Sequence, residues 1–322
     1  MNNTHYPSPE SLPEAHLSHP ASDERKRASN ATADELPQSL IEFKRKCETG
    51  DYSPLTEFHL SKTDYTRLHD KIQTRFRRFD YNPRRQLITF RMPSTVHDFF
   101  VSFLGSAVMN KIRGIGRQNR RARAFTQSIQ NGLTSNVILI DGDDKWEQQP
   151  DSQFRHIGAR YPGVVLEVAL TQDAKGLRRV ARRYIYHTDG QIKVVLGIDL
   201  NKDKESTISV WKPTFSPAQN SDGVDMDIER VVQAQPFRDA KKNPVNGTLT
   251  LRLHDFAPDN LCQDCPNTAF SIPYRDMSDM LAMAEQFKLI EEREEVPEPS
   301  SRVVHKRRYS ESSEDRMAEE DD

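Results

Sequence analysis

Two acidic residues carry the chemistry most readily read from this chain. Asp151 lies in Gln-Gln-Pro-Asp-Ser-Gln-Phe (148–154), and Glu167 in Pro-Gly-Val-Val-Leu-Glu-Val-Ala-Leu (162–170). An acid after a proline, then a second acid inside an apolar β-type run, is a spacing that can set two carboxylates beside one divalent metal. Carboxylate oxygens suit hard cations such as Mg²⁺ or Mn²⁺, and such a metal activates water against a phosphodiester. The run 164–170 is apolar on both sides of Glu167, as expected of a strand covered on both faces. A carboxylate there is costly to bury unless it is paired or metal-bound. The competing structural reading is a strand-end glutamate hydrogen-bonded to arginine.

The elements that must position these acids follow from periodicity and turn chemistry. A strand is expected over 86–92, ended by Pro93, with Ser94 capping a helix over 95–117. That helix collects Val96, Phe99, Phe100, Phe103, Leu104 and Val108 on one apolar face. A short helix over 122–129, a strand over 136–141 and a loop over 142–147 lead to Pro150-Asp151. After the strand 164–170 come a basic helix over 173–187 and two strands, 191–200 and 205–212, joined across Asn201-Lys-Asp-Lys204. Helices are also expected over 39–48 and 61–78, the second opened by Ser61 and Asp64 as a capping box. Residues 214–224 read as a polar loop. Residues 225–237 and 247–254 read as a second hairpin around Asn243-Pro-Val-Asn-Gly247, and 276–295 as a closing helix.

Taken in order, Pro150-Asp151, Glu167-Val168-Ala169, the helix Leu177-Arg-Arg-Val-Ala-Arg-Arg-Tyr184, then Gln191 to Asp199 and Ser206 to Trp211 resemble the PD-(D/E)XK nuclease superfamily. Within it the chain is most similar to the restriction-endonuclease-like proteins common in bacterial genomes and their uncharacterised fungal branch. The resemblance covers roughly residues 85–213. It implies an α/β fold, with a mixed central sheet flanked by helices and a β-hairpin added after Pro213. It also implies a metal-dependent nuclease that hydrolyses DNA, with Asp151, Glu167 and the main-chain carbonyl of Val168 holding Mg²⁺ or Mn²⁺.

The superfamily pattern would place lysine two residues after the second acid, where this chain has Ala169. A basic residue on the following helix would stand in, with Arg178 or Arg179 preferred over Lys175, and Arg182 also available. Arginine stays charged, so its part would be to complement the phosphate rather than to act as base. Gln172 would orient a water by hydrogen bonds without supplying charge. From the upstream helix, His97 and Asp98 are the candidates to lend a polar group to the metal; a solvent-facing pair in a first turn is the competing reading. Ala169 also favours an alternative function, a catalytically inactive nuclease fold acting as a nucleic-acid-binding or protein-interaction module. A purely structural scaffold would follow if Asp151 and Glu167 pointed apart.

The densest basic stretch runs from Lys111 to Arg123. Lys111, Arg113, Arg117, Arg120, Arg121 and Arg123 would neutralise phosphates of DNA, or else form a solvated helix end where cations meet the negative pole of the dipole. Its Gly114-Ile-Gly116 is no phosphate loop, because no strand precedes it. Cys262-Gln-Asp-Cys265 supplies two of the four ligands a structural zinc needs, with His254 the nearby histidine. A loop with two thiols is the simpler reading.

Composition bounds the rest. Of 322 residues only 35% are hydrophobic, and the shortfall is concentrated in residues 1–38 and 294–322. Both segments are too polar to offset their ordering entropy and are expected to be disordered. One domain is then expected over 39–293, long enough for a real core. The net charge of −2 leaves nucleic acid open as a partner, because distribution matters more than the sum. Cys47, Cys262 and Cys265 make no disulfide framework, which fits a reducing intracellular compartment. No stretch is apolar enough to span a membrane, and the first residues lack a signal-peptide core. His305-Lys-Arg-Arg308 has the composition of a nuclear-import run. A homodimer would suit cutting both strands.

Overall fold

A computed structural model describes residues 35–49, 53, 55–170, 174–218 and 223–293. Residues 1–34 and 294–322, the 305–308 basic run and Gln172 lie outside the described residues. The first half, in chain order, comprises α1 (Gln38–Thr49), β1 (Leu55–His59), α2 (Lys62–Arg75), β2 (Phe79–Asn82), β3 (Leu87–Arg91), α3 (Thr95–Gln118), α4 (Arg120–Gln127), β4 (Ile129–Asn131), β5 (Val137–Asp141) and β6 (Asp144–Gln148). Then come β7 (Ser152–His156), β8 (Val164–Ala169), α5 (Ala174–Tyr186), β9 (Val194–Asp199), β10 (Ser206–Pro217), β11 (Val224–Arg238), β12 (Thr248–Arg252), β13 (Ala269–Pro273) and α6 (Tyr274–Glu291).

Among the described residues these strands form a mixed α/β structure with three sheets. The largest has the order β11-β10-β9-β8-β7-β4. Its pairs are antiparallel except for β8 and β9, which run parallel. Parallel neighbours need a long crossover, and α5 supplies it. Side chains alternate across β8. Val164, Leu166 and Val168 pack with α3 and α6, whereas Val165 packs with Leu177, Ala181 and Tyr184 of α5. The sheet is therefore the middle of three layers, and Glu167 points with Val165 toward α5.

A second sheet, β1-β3-β2-β6-β5, encloses its own core with α1 and α2, built from Leu40, Phe43, Leu68, Ile72, Phe79, Ile88 and Phe90. The expected caps form. Ser61 accepts from the Asp64 N–H at the start of α2, and Ser94 accepts from the His97 N–H at the start of α3.

Three expectations are corrected. Residues 142–147 are not a loop, because β6 folds back on β5 with Asp141 opposite Asp144. Gly142 takes a φ of +60, the conformation that a glycine-first two-residue hairpin turn demands. Residues 214–217 and 224, expected in a polar loop, are strand instead, since β10 and β11 stay paired out to Pro217 opposite Val224, and 219–222 lie outside the described residues. Finally, 225–237 does not pair with 247–254. Strand β11 pairs with β10 and β12 pairs with β13, so the turn residues at 243–247 redirect the chain between sheets.

One close approach fixes β8 in place. A Cβ on Gly163 would lie 2.3 Å from the Phe256 carbonyl carbon and 2.5 Å from the Asp255 oxygen, both backbone atoms of a short 3₁₀ turn. Backbone cannot swing aside as a side chain can. Gly163→Ala should cost about 1–3 kcal/mol, read as a lower denaturant midpoint at unchanged m-value. No described helix is long and apolar enough to cross a membrane.

Candidate functional site

Strand register brings the two acids together. β7 and β8 are antiparallel with Ser152 opposite Leu166, so Asp151, one step before β7, falls opposite Glu167. Both are buried, at 4% and 3% exposure, so each carboxylate must find its partners within the protein.

Every oxygen of the pair is engaged. Asp151 Oδ1 accepts from Arg78. Its Oδ2 accepts from the Val168 N–H at 2.5 Å and lies 3.1 Å from His97 Nε2. Glu167 Oε1 accepts from the Tyr184 hydroxyl at 2.8 Å, and Oε2 from Arg91 Nη1 at 2.9 Å. The same Arg91 nitrogen is 3.9 Å from Asp151 Oδ1. Its other terminal nitrogen donates to Asp80 at 2.6 Å and to the Gln149 carbonyl at 2.8 Å. Arg91 thus stands among three carboxylates, and Asp151 is shared with Arg78 at Oδ1 and His97 at Oδ2.

The titration behaviour follows this geometry. Burial alone would lower the pKa of Arg91, but Asp80, Glu167 and Asp151 hold it well above its ordinary value. Burial would likewise lower His97, yet the charge of Asp151 and its hydrogen bond lift it to about 9. Asp151 is held well below the usual carboxylate range, because His97, Arg78 and Arg91 together outweigh its burial. Glu167 moves the other way. Burial, reinforced by the charges of Asp151 and Asp80, outweighs Arg91 and Tyr184 and raises it.

Neither a protein-family model nor a curated protein matches the chain. The fit of a metal therefore rests on the donor set. A Mg²⁺ or Mn²⁺ between Asp151 and Glu167 would have to displace Arg91 and settle beside Arg78 and His97, two further positive charges. The Val168 N–H donates to Asp151. As arranged, these residues do not fit a resident divalent ion.

The other expected residues lie as follows. His97 is buried against Asp151, which rules out the solvent-facing reading for it, whereas Asp98 is largely exposed. Arg178, Arg179 and Arg182 are exposed. Arg178 lies close enough to Arg230 to help burial depress that residue's pKa, and Arg182 stacks on Tyr186. Among the described α5 cations the one that faces inward is Arg183, which donates to Gln148 at 2.7 Å and lies over the Trp146 ring. The Lys175 side chain is outside the described residues. Ala169, half-buried at the end of β8, brings no charge. Lys111, Arg113 and Arg117 on α3, with Arg120, Arg121 and Arg123 on α4, are all exposed.

Cys262 and Cys265 are buried, and their thiols donate to backbone carbonyls. His254 Nε2 meets the Cys265 carbonyl oxygen, so the two thiols belong to a packed loop.

Sequence reasoning missed Arg78, Asp80, Arg91 and Arg183. The signal for Arg91 was a charge closing an otherwise apolar strand, Leu-Ile-Thr-Phe-Arg. It also missed a cleft of about 850 Å³ that opens onto Asp151 and is lined by Lys44, Arg75, Arg77, Arg78 and Arg91, with Asp98 at its side.

Proposed function

We propose that this chain is a DNA-binding module on a restriction-endonuclease-like core, in which protein cations have taken the place of the metal. The observation that carries the reading is the saturation of Asp151 and Glu167 by Arg78, Arg91, His97, Tyr184 and the Val168 N–H. The order of elements supports the kinship. Pro-Asp leads into β7, Glu167 lies in β8, and α5, β9 and β10 follow in the sequence the superfamily uses. The partner is suggested by the cleft beside the acids, whose rim carries Lys44, Arg75 and Arg77, because clustered cations bind the phosphate backbone by releasing its counterions.

The test uses the full chain with labelled duplex DNA and with plasmid, in EDTA and in Mg²⁺ or Mn²⁺. The expected result is binding that weakens steeply with salt, persists in EDTA and leaves the plasmid intact. Cleavage that needs the metal and disappears in Glu167→Gln would replace this reading with an active nuclease. Absence of binding under every condition would leave a protein-interaction module.

A further inference from the structure

We infer that the cleft over Asp151 and the basic run on α3 and α4 are two ends of one continuous track for the phosphate backbone of duplex DNA. The inference rests on the DNA-binding reading above and adds a second contact region and a path between the two.

Four surface depressions join in series. The cleft over Asp151 shares Phe76, Arg77, Leu133 and Thr134 with a neighbouring depression of about 400 Å³. That one shares Gly132, Ser135 and Asn136 with a third, of about 670 Å³. The third shares Gln127 and Gln130 with a fourth, of about 510 Å³, walled by Arg113, Arg117 and Arg123. The track therefore passes along the outer edge of the large sheet, over β4 and the segment 132–136 that follows it.

Charge along this path is segregated from the rest of the chain. Nine arginine and lysine side chains line it against two acids, Asp98 and Asp151, although the whole chain carries −2. Of those acids, Asp151 is already neutralised by Arg78 and His97. Arg75, Arg77, Arg113 and Arg117 form no ion pair with any described residue. The middle of the path is mostly amide, with Gln153 held to the Ser135 carbonyl and Gln130 to the Gln127 carbonyl, and carries one cation, Arg155. Cations clustered at both ends, with Arg155 between them, suit a ligand whose charge recurs along its length.

The track lacks what single strands need. Stacking of bases requires exposed aromatic faces, yet its aromatic lining, Phe76, Phe79 and Phe90, is buried. Among the described residues the large exposed aromatics, Tyr186, Phe215 and Phe287, lie elsewhere. What remains is recognition of backbone charge, which the duplex presents densely.

Binding of a labelled duplex by the full chain, measured across a salt series, tests both ends. The variants are Arg75→Gln with Arg77→Gln, Arg113→Gln with Arg117→Gln, and all four together. Each pair should weaken binding by about tenfold and lower the slope of log K against log salt by about two. The fourfold variant should lose the product of the two effects, with thermal stability unchanged. If one pair alters neither affinity nor slope while the other does, the track is overturned and the functional reading stands. A single strand bound more tightly than the duplex would overturn the choice of ligand. No binding by the unaltered chain would remove the functional reading itself.

Discussion

Arg91→Met should cost about 3–5 kcal/mol of folding stability, the range expected when one member of a buried ion network is removed. Methionine retains much of the packing volume and deletes the charge. Asp80, Asp151 and Glu167 then lose the cation they surround, and the Gln149 carbonyl loses a donor. Arg91 also ends β3 in one sheet while Glu167 lies in β8 of another, so its loss loosens the junction between them. At about 2–4 °C per kcal/mol for a structure of this size, melting should fall by about 6–20 °C. Adding Glu167→Gln should restore part of that loss, because one of the orphaned charges disappears with it. A cost below about 1 kcal/mol would show that the network contributes little to holding the sheets together.

Stability should also fall as pH rises through the alkaline range, with His97 the main cause. Its folded pKa of about 9 exceeds its ordinary 6.5, so the folded state holds a proton that the unfolded chain releases. The stabilisation is complete below about 6.5 and is lost as pH rises through about 9. A shift of this size corresponds to roughly 3 kcal/mol. Glu167 contributes with the same sign at lower pH. Its pKa is raised from 4.5, so its protonated form favours folding, and that advantage is lost as the pH rises. Asp151, depressed from 3.8, acts oppositely: its contribution is present above 3.8 and is lost in strong acid. Urea midpoints measured from pH 5 to 10 should therefore decline. His97→Gln, which cannot charge, should be less stable at pH 6 and flatter across the alkaline half. An unchanged slope in that variant would remove His97 as the cause.

Much of this arrangement was legible where the signal is local. Ser61 and Ser94 announced their helices, because a capping hydroxyl needs only the three residues that follow it. The two-sided apolar run around Glu167 announced β8, because burial on both faces leaves no polar alternation. What escaped was long-range. Arg91 and Arg78 reach the acids across 76 and 73 residues of chain, from a sheet whose strand β1 buries no side chain and whose strand β2 is only four residues long. Partners drawn from a different sheet leave no trace in spacing. The α5 arginines failed for another reason. Four of them crowd one helix, so their number concealed their phase. Leu177, Ala181 and Tyr184 fix the inward side, and Arg183, adjacent to Tyr184, is the one carried toward Gln148. Strand β13 was missed because strong turn residues at 243–247 suggested a local hairpin that tertiary pairing overrode.

The arm of β10 and β11 has a bearing on how copies of this protein treat one another. Strand β11 is the last in its sheet, so one side of its backbone offers donors and acceptors to any extended chain that approaches. Such an open edge invites self-templating unless something repels the visitor. Asp225, Asp227 and Glu229 are exposed at alternate positions along that stretch. A second β11 laid alongside would set like charge against like charge at every other residue, so the arm acts as its own guard against fibre-like stacking.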